Sequence, residues 1–243
     1  MRLISSFLFV ASMGLAWSQA AQVGPGPGQR GSGACGPGAL TYDDGTYENG
    51  YGWNDFVTDG VITQRYVPPT SPFQINQVCA SLTQLGSDPS WSGNIHVYAD
   101  SGAGPGALLA SVPFTAVGVA TYPNFSDHSF DLSASNLLVS GNFYLGLQWD
   151  ATVEEDFFIG ADESPTTPLN PGYAKAIGGD VQGGGGSWAP NQSYWSDYRA
   201  LAISVVVASP MDVPALGPWG LVGLVAVLMV GGLFLLRRRR ALA

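Results

Sequence analysis

Alternation of apolar and polar residues dominates the middle of this chain. In NIHVYAD, Ile95, Val97 and Ala99 alternate with Asn94, His96, Tyr98 and Asp100. In NFYLGLQWD, Phe143, Leu145, Leu147 and Trp149 alternate with Asn142, Tyr144, Gly146, Gln148 and Asp150. The run RALAISVVV sets Leu201, Ile203, Val205 and Val207 on one side. Successive side chains of a strand point to opposite faces, so each run predicts a strand with one face on a core and one toward water. That is the habit of antiparallel sheets. Turn-forming pairs punctuate the runs: Asp44-Gly45, Asn49-Gly50, Asp59-Gly60, Gly104-Pro105 and Ser140-Gly141. No helical stripe appears before residue 219. The pattern predicts an all-β ectodomain over residues 39–208, with eight or nine strands in a jelly-roll-like antiparallel β-sandwich.

The pattern changes at both ends. Arg2 precedes an apolar run over residues 3–17, and Ser18-Gln19-Ala20 supplies the small residues at which a signal peptidase cuts. Residues 1–20 therefore read as a secretory signal peptide. Residues 21–38, AQVGPGPGQRGSGACGPG, are Gly/Pro-rich with little to bury and read as a flexible arm. At the other end, residues 219–236 carry no charge and end on Arg237, Arg238, Arg239 and Arg240. As a helix this segment spans about 27 Å, enough to cross a hydrocarbon core, and the arginines hold its end on the cytoplasmic side. The sequence predicts a single C-terminal transmembrane helix with the remainder outside.

The order of parts in residues 209–243 carries a resemblance. Val213, Pro214, Ala215, Leu216, Trp219 and Gly220 precede the apolar helix and the arginines. This is similar to the IPTL-CTERM motif, IPTLxxWG, of exosortase substrates. Pro214, Leu216, Trp219 and Gly220 match it, whereas Val213 stands for Ile and Ala215 for Thr. The resemblance covers about 28 residues. It implies a Gram-negative surface protein, held in the inner membrane until an exosortase-type membrane protease removes the tail. It further implies a destination at the cell surface or in an extracellular matrix, in the company of exopolysaccharide. A permanent anchor is the alternative. YDDGTYENGYG and YADSGAGPGALLAS also resemble segments of secreted bacterial jelly-roll domains.

Charge narrows the partners. All 18 acidic residues lie between Asp43 and Asp212, where the basic ones are Arg65, Lys175 and Arg199. With Arg30, the stretch 21–212 carries a net charge of −14. Such a surface repels nucleic acid, so no nucleic-acid partner is expected, and it leaves cations as candidates. Calcium takes several oxygens from loops, and Asp43, Asp44, Glu48 and Asp100 are the candidate ligands. Cys35 and Cys79 are the two cysteines of an exported chain and form a candidate disulfide, the alternative being a buried Cys79 and a free Cys35.

Catalytic signals are thin. There is no GxSxG elbow, and the Gly-rich run near 178–188 lacks the Lys and the helix of a phosphate loop. Glu154, Glu155 and Asp156 are an acidic triplet that reads as a solvated loop rather than a glycosidase pair, and a polysaccharide hydrolase stands as the third reading through this triplet alone. The chain is read as non-enzymatic, with a structural or adhesive role. The alternative is a carbohydrate-binding module, with calcium as an optional helper. Its rings would be Trp53, Trp188, Tyr194 and Trp195, in turn-rich sequence where aromatics can stack on sugar faces. The competing reading of those rings is that they cap the core.

Overall fold

The computed structural model describes residues 20–23, 29–30, 35–36, 38–53, 59–87, 89–149, 157–178 and 186–209. Residues 1–19 of the predicted signal peptide, the acidic triplet, the predicted sorting motif, the predicted 219–236 helix and the four terminal arginines lie outside these residues. Among the described residues, no helix is long and apolar enough to cross a membrane.

The fold is all-β. Its strands are β1 (Ala20–Gln22), β2 (Gln29–Arg30), β3 (Thr46–Tyr47), β4 (Asn49–Trp53), β5 (Asp59–Tyr66), β6 (Phe73–Gln84), β7 (Ser90–Asp100), β8 (Pro105–Val117) and β9 (Ala120–Thr121). They continue with β10 (Ser126–Asp131), β11 (Leu138–Val139), β12 (Phe143–Trp149), β13 (Phe157–Asp162), β14 (Gly172–Gly178), β15 (Ala189–Pro190), β16 (Ala200–Leu201) and β17 (Ile203–Ala208). One sheet runs β1-β4-β13-β6-β10, with β9, β11, β16 and β17 attached along it, and a second runs β15-β14-β5-β12-β7-β8. β2 and β3 make a small separate pair. The pairings are antiparallel except the short β6–β9 contact.

The two large sheets close on one apolar core. Ile75, Leu82, Ile159 and Ile203 come from the first, and Ile62, Ile95, Val97, Leu145 and Leu147 from the second. Aromatic pairs join them: Phe73 lies 5.2 Å from Phe143, Trp91 stacks on Phe157 at 5.5 Å, and Phe114 meets Phe130 at 4.8 Å. A buried polar bridge also crosses between the sheets. Gln64 accepts the Leu201 amide at 2.9 Å and donates to the Ile203 carbonyl at 2.8 Å, where Tyr66 also donates. A bridge with its donors and acceptors matched fixes sheet against sheet more specifically than packing alone.

β7 is buried from Ile95 to Tyr98 and β12 from Phe143 to Leu147, and β6 is buried without interruption from Val78 to Gln84. The reason lies on its outer side. Cys35 is disulfide-bonded to Cys79, and the Tyr47 hydroxyl meets Ser81 Oγ at 3.2 Å, so the segment before β4 covers this face. Of the 21–38 stretch, only residues 21–23, 29–30, 35–36 and 38 are described. β1 pairs with β4, β2 pairs with β3, and Cys35 is bonded to β6. Edge pairing uses backbone groups alone, which is why a stretch with so little apolar content can still take part.

The turn pairs divide. Gly45, Gly104 and Gly141 hold positive φ at the predicted turns. Asn49-Gly50 and Asp59-Gly60 instead lie in strands β4 and β5. At Gly60 a Cβ would come within 2.6 Å of the Trp53 ring nitrogen, so the glycine serves close packing rather than a turn.

Candidate functional site

The register of the second sheet assembles a patch on the side facing away from the core. Tyr144 lies opposite Tyr98 on one neighbour and Arg65 on the other. One row further along, Gly146 lies between His96 and Thr63, and Thr63 faces Tyr173. Val61, Tyr98 and Tyr144 form a small cluster of their own, with Tyr173 and Trp188 packed on it half-buried. Tyr98 meets Trp188 edge-on at 5.0 Å, and Tyr144 meets Tyr173 edge-on at 5.6 Å. Gly146 is required here: a Cβ would lie 1.9 Å from the Ile62 carbonyl oxygen.

Polar groups rim the patch. His96 Nδ1 and the Tyr98 hydroxyl are 2.8 Å apart, and Gln148 donates to Asp59 at 2.7 Å. Arg65 pairs with Asp100 at 2.7 Å, and Lys175 Nζ lies 5.6 Å above the Trp188 ring. Burial raises both tyrosines, Tyr98 and Tyr144, to about 12, and burial lowers His96, against the pull of Asp59. At neutral pH the described patch therefore presents a neutral imidazole and two phenols, with Lys175 over the Trp188 ring. Beside it a cavity of about 160 Å³ is lined by Leu169, Pro171, Tyr173, Pro190, Gln192 and Tyr198. This is close to the ~150 Å³ that holds one six-membered ring.

The four ring candidates do not form one site. Trp53 and Trp195 are core residues at 1% and 3% exposure. Tyr51 stacks on Trp195 at 4.5 Å, and Tyr194 packs against Trp53 at 5.5 Å. These rings cap the sandwich, as the competing reading had it, because Gly- and Ser-rich surroundings hide burial that only tertiary packing supplies. Trp188 alone belongs to the outer patch. Tyr98, Tyr144 and Tyr173 were missed, although two tyrosines at the polar positions of two predicted strands were the signal.

The calcium candidates are likewise divided. Asp100 takes Arg65 and the Gly102 amide. Burial pulls Asp100 up, but the Gly102 amide and the Arg65 guanidinium together carry it below the usual carboxylate range. Asp43 accepts from Thr41 and Gly45, Asp44 accepts from Thr46, and Glu48 accepts from Thr46 and the Glu163 amide. Their hub is Asp162, fully buried, which accepts from the Asp44 and Ser164 amides and the Thr167 hydroxyl, each at 2.8 Å. These oxygens already serve as turn and loop acceptors, and among the described residues no group of three or more His, Cys, Asp or Glu is placed to hold a metal ion.

His128 Nε2 lies 2.8 Å from Ser126 Oγ. That hydroxyl also accepts the Ala120 amide at 2.9 Å, which holds it as part of the β9–β10 turn.

No family model and no curated protein matches the chain. Among solved structures, it is similar to the cysteine protease and lectin-like domains of Cwp84, a surface layer associated protein of Clostridium difficile. The identity is 11% and the TM-score 0.46, over 71% of this chain and 36% of that one. The chain thus spans little more than a third of that structure.

Proposed function

We propose that the chain is an exported, non-enzymatic protein of the cell surface or extracellular matrix, structural or adhesive in role. Its ectodomain is read as a jelly-roll-type sandwich, and its tail as an IPTL-CTERM-like signal removed by an exosortase-type membrane protease. What supports this is where the core ends. The last described strand closes at Ala208, five positions before Val213, so a cut at Val213–Gly220 takes none of the described strands. The Cys35–Cys79 bond also fits an oxidising compartment. Intact mass of the protein recovered from its host tests the reading. A product ending between Val213 and Gly220 is expected, and one that keeps Arg237–Arg240 overturns processing.

A second reading, carbohydrate binding, is favoured by the half-buried Trp188 on the patch and by Tyr173, which lines a ring-sized cavity. Flat aromatic faces with adjacent amides and hydroxyls suit a sugar ring. A glycan array run with Trp188→Ala beside the unaltered protein tests it. Loss of retained glycans supports the reading, and no retention by the unaltered protein ends it.

A further inference from the structure

We propose that the free edge of β8 is a self-association surface that pairs with β8 of a second copy. β8 is 13 residues long and closes the six-stranded sheet, and among the described residues it pairs with β7 alone. Its outward backbone amides and carbonyls are therefore open to another strand. The other sheet ends are different. β1 has three residues, β15 has two and ends on Pro190, and β10 carries Asp127, His128 and Asp131.

Charge identifies the occupant. In an ectodomain of net charge −14, copies repel one another wherever acidic faces meet. From Ser101 to Ser126 there is no charged side chain, so this edge is where two copies approach without that repulsion. Exposed apolar side chains lie on the same strand: Leu108 at 50%, Leu109 at 44% and Val117 at 70%. Antiparallel pairing of one strand with its own copy is self-complementary, the geometry of a closed two-fold dimer. Pro113 and the register shifts around Leu108 interrupt the free row, and they bound the pairing to the short row between them, which holds Ser111, rather than an open-ended ladder. The inference goes beyond the sorting reading and does not depend on it.

The test uses the full chain in detergent micelles, so any association through the tail is common to all variants. Ser111 is exposed on β8, and Ser193 is exposed at the far side of the same sheet. Two lysines brought opposite one another repel. Ser111→Lys should weaken the dimer seen by sedimentation about tenfold or more, and Ser193→Lys should leave it unchanged. Should Ser111→Lys fail to fold, Ser111→Cys gives an independent measurement. Mild oxidation should join it into a covalent dimer, and Ser193→Cys should stay monomeric. A monomeric unaltered chain, or equal behaviour of the two positions, overturns the proposal, while the intact mass of the tail still reports separately on processing.

Discussion

The Tyr51 and Trp195 rings stack at 4.5 Å with 11° between their planes, inside the sandwich rather than on it. Trp53 and Tyr198 lean on the same pair. Trp195 is therefore a closing piece of the core, joining the 3₁₀ segment after β15 to strand β4. Trp195→Ala should destabilise the fold by about 3–5 kcal/mol, the range for deleting a large buried ring. Trp188→Ala, at a half-buried position outside the main core, should cost about 1–2 kcal/mol. Urea unfolding of the two variants checks the order. A smaller loss for Trp195→Ala than for Trp188→Ala would place the wrong ring in the core.

Cys35 and Cys79 close a loop with a sequence separation of 44. In the chain-entropy description that loop stabilises the fold by about 4 kcal/mol. The effect should concentrate on the residues around Cys35, because from Leu40 onward the segment has other ties: Leu40 bridges to Val205, the Tyr42 hydroxyl accepts the Val67 amide, the Asp44 amide donates to Asp162, and Tyr47 meets Ser81 and Phe125. Cys35→Ala with Cys79→Ala should lower the urea midpoint strongly. Hydrogen exchange should show the segment before β4 opening ahead of β6. Uniform loss of protection across both sheets would count against a local clamp.

The strands were legible wherever the two faces carry different residue types. In 94–100 and 142–149 the apolar residues face the core, and His96, Tyr98 and Tyr144 form the opposite face, although they too are buried beneath the patch. β6 was less legible, since a covered outer face removes the polar half of the alternation. Asn49-Gly50 has the form of a hairpin turn, yet Gly50 lies in β4 with a Cβ position only 3.1 Å from Phe158 Cβ. There glycine answers to a neighbour distant in sequence, and local rules cannot see it. The same limit governs the rings. Composition flagged Trp53 and Trp195 as readily as Trp188, and register decided which of them has a face outside. Asp44 and Glu48 share Thr46 as a donor, but their other partners Asp162 and Glu163 lie more than a hundred positions away.

Asp162 should matter more than any of the acids singled out from sequence. Both of its oxygens accept, Oδ1 from Ser164 and Oδ2 from Asp44 and Thr167. An amide has one accepting oxygen, so Asp162→Asn turns an NH₂ toward a donor. We expect a loss of about 2 kcal/mol for Asn and about 3 kcal/mol for Ala. Because these acceptors are occupied by protein donors, millimolar calcium should leave the thermal midpoint unchanged. A clear rise with calcium, reversed by EDTA, would show that the ion competes for them after all.

The histidines set a pH dependence whose sign can be worked out. Burial lowers both His96 and His128 from the ordinary 6.5, opposed by Asp59 and Asp127 respectively. Between each lowered value and 6.5 the unfolded chain binds more protons than the folded one, so stability rises with pH across that window. Their contribution is complete above 6.5 and is lost as the pH falls toward the folded values. Asp43 and Asp162 act in a lower window and with the opposite sign. Burial raises both above 3.8, so acidification there adds protons to the folded state first. The urea midpoint should therefore fall on going from about pH 7.5 to about pH 5.5. His96→Gln, which keeps a polar group near the Tyr98 hydroxyl without titrating, should flatten part of that fall. An unchanged slope in this variant would mean that His96 titrates alike in both states and that the patch around it is open to water.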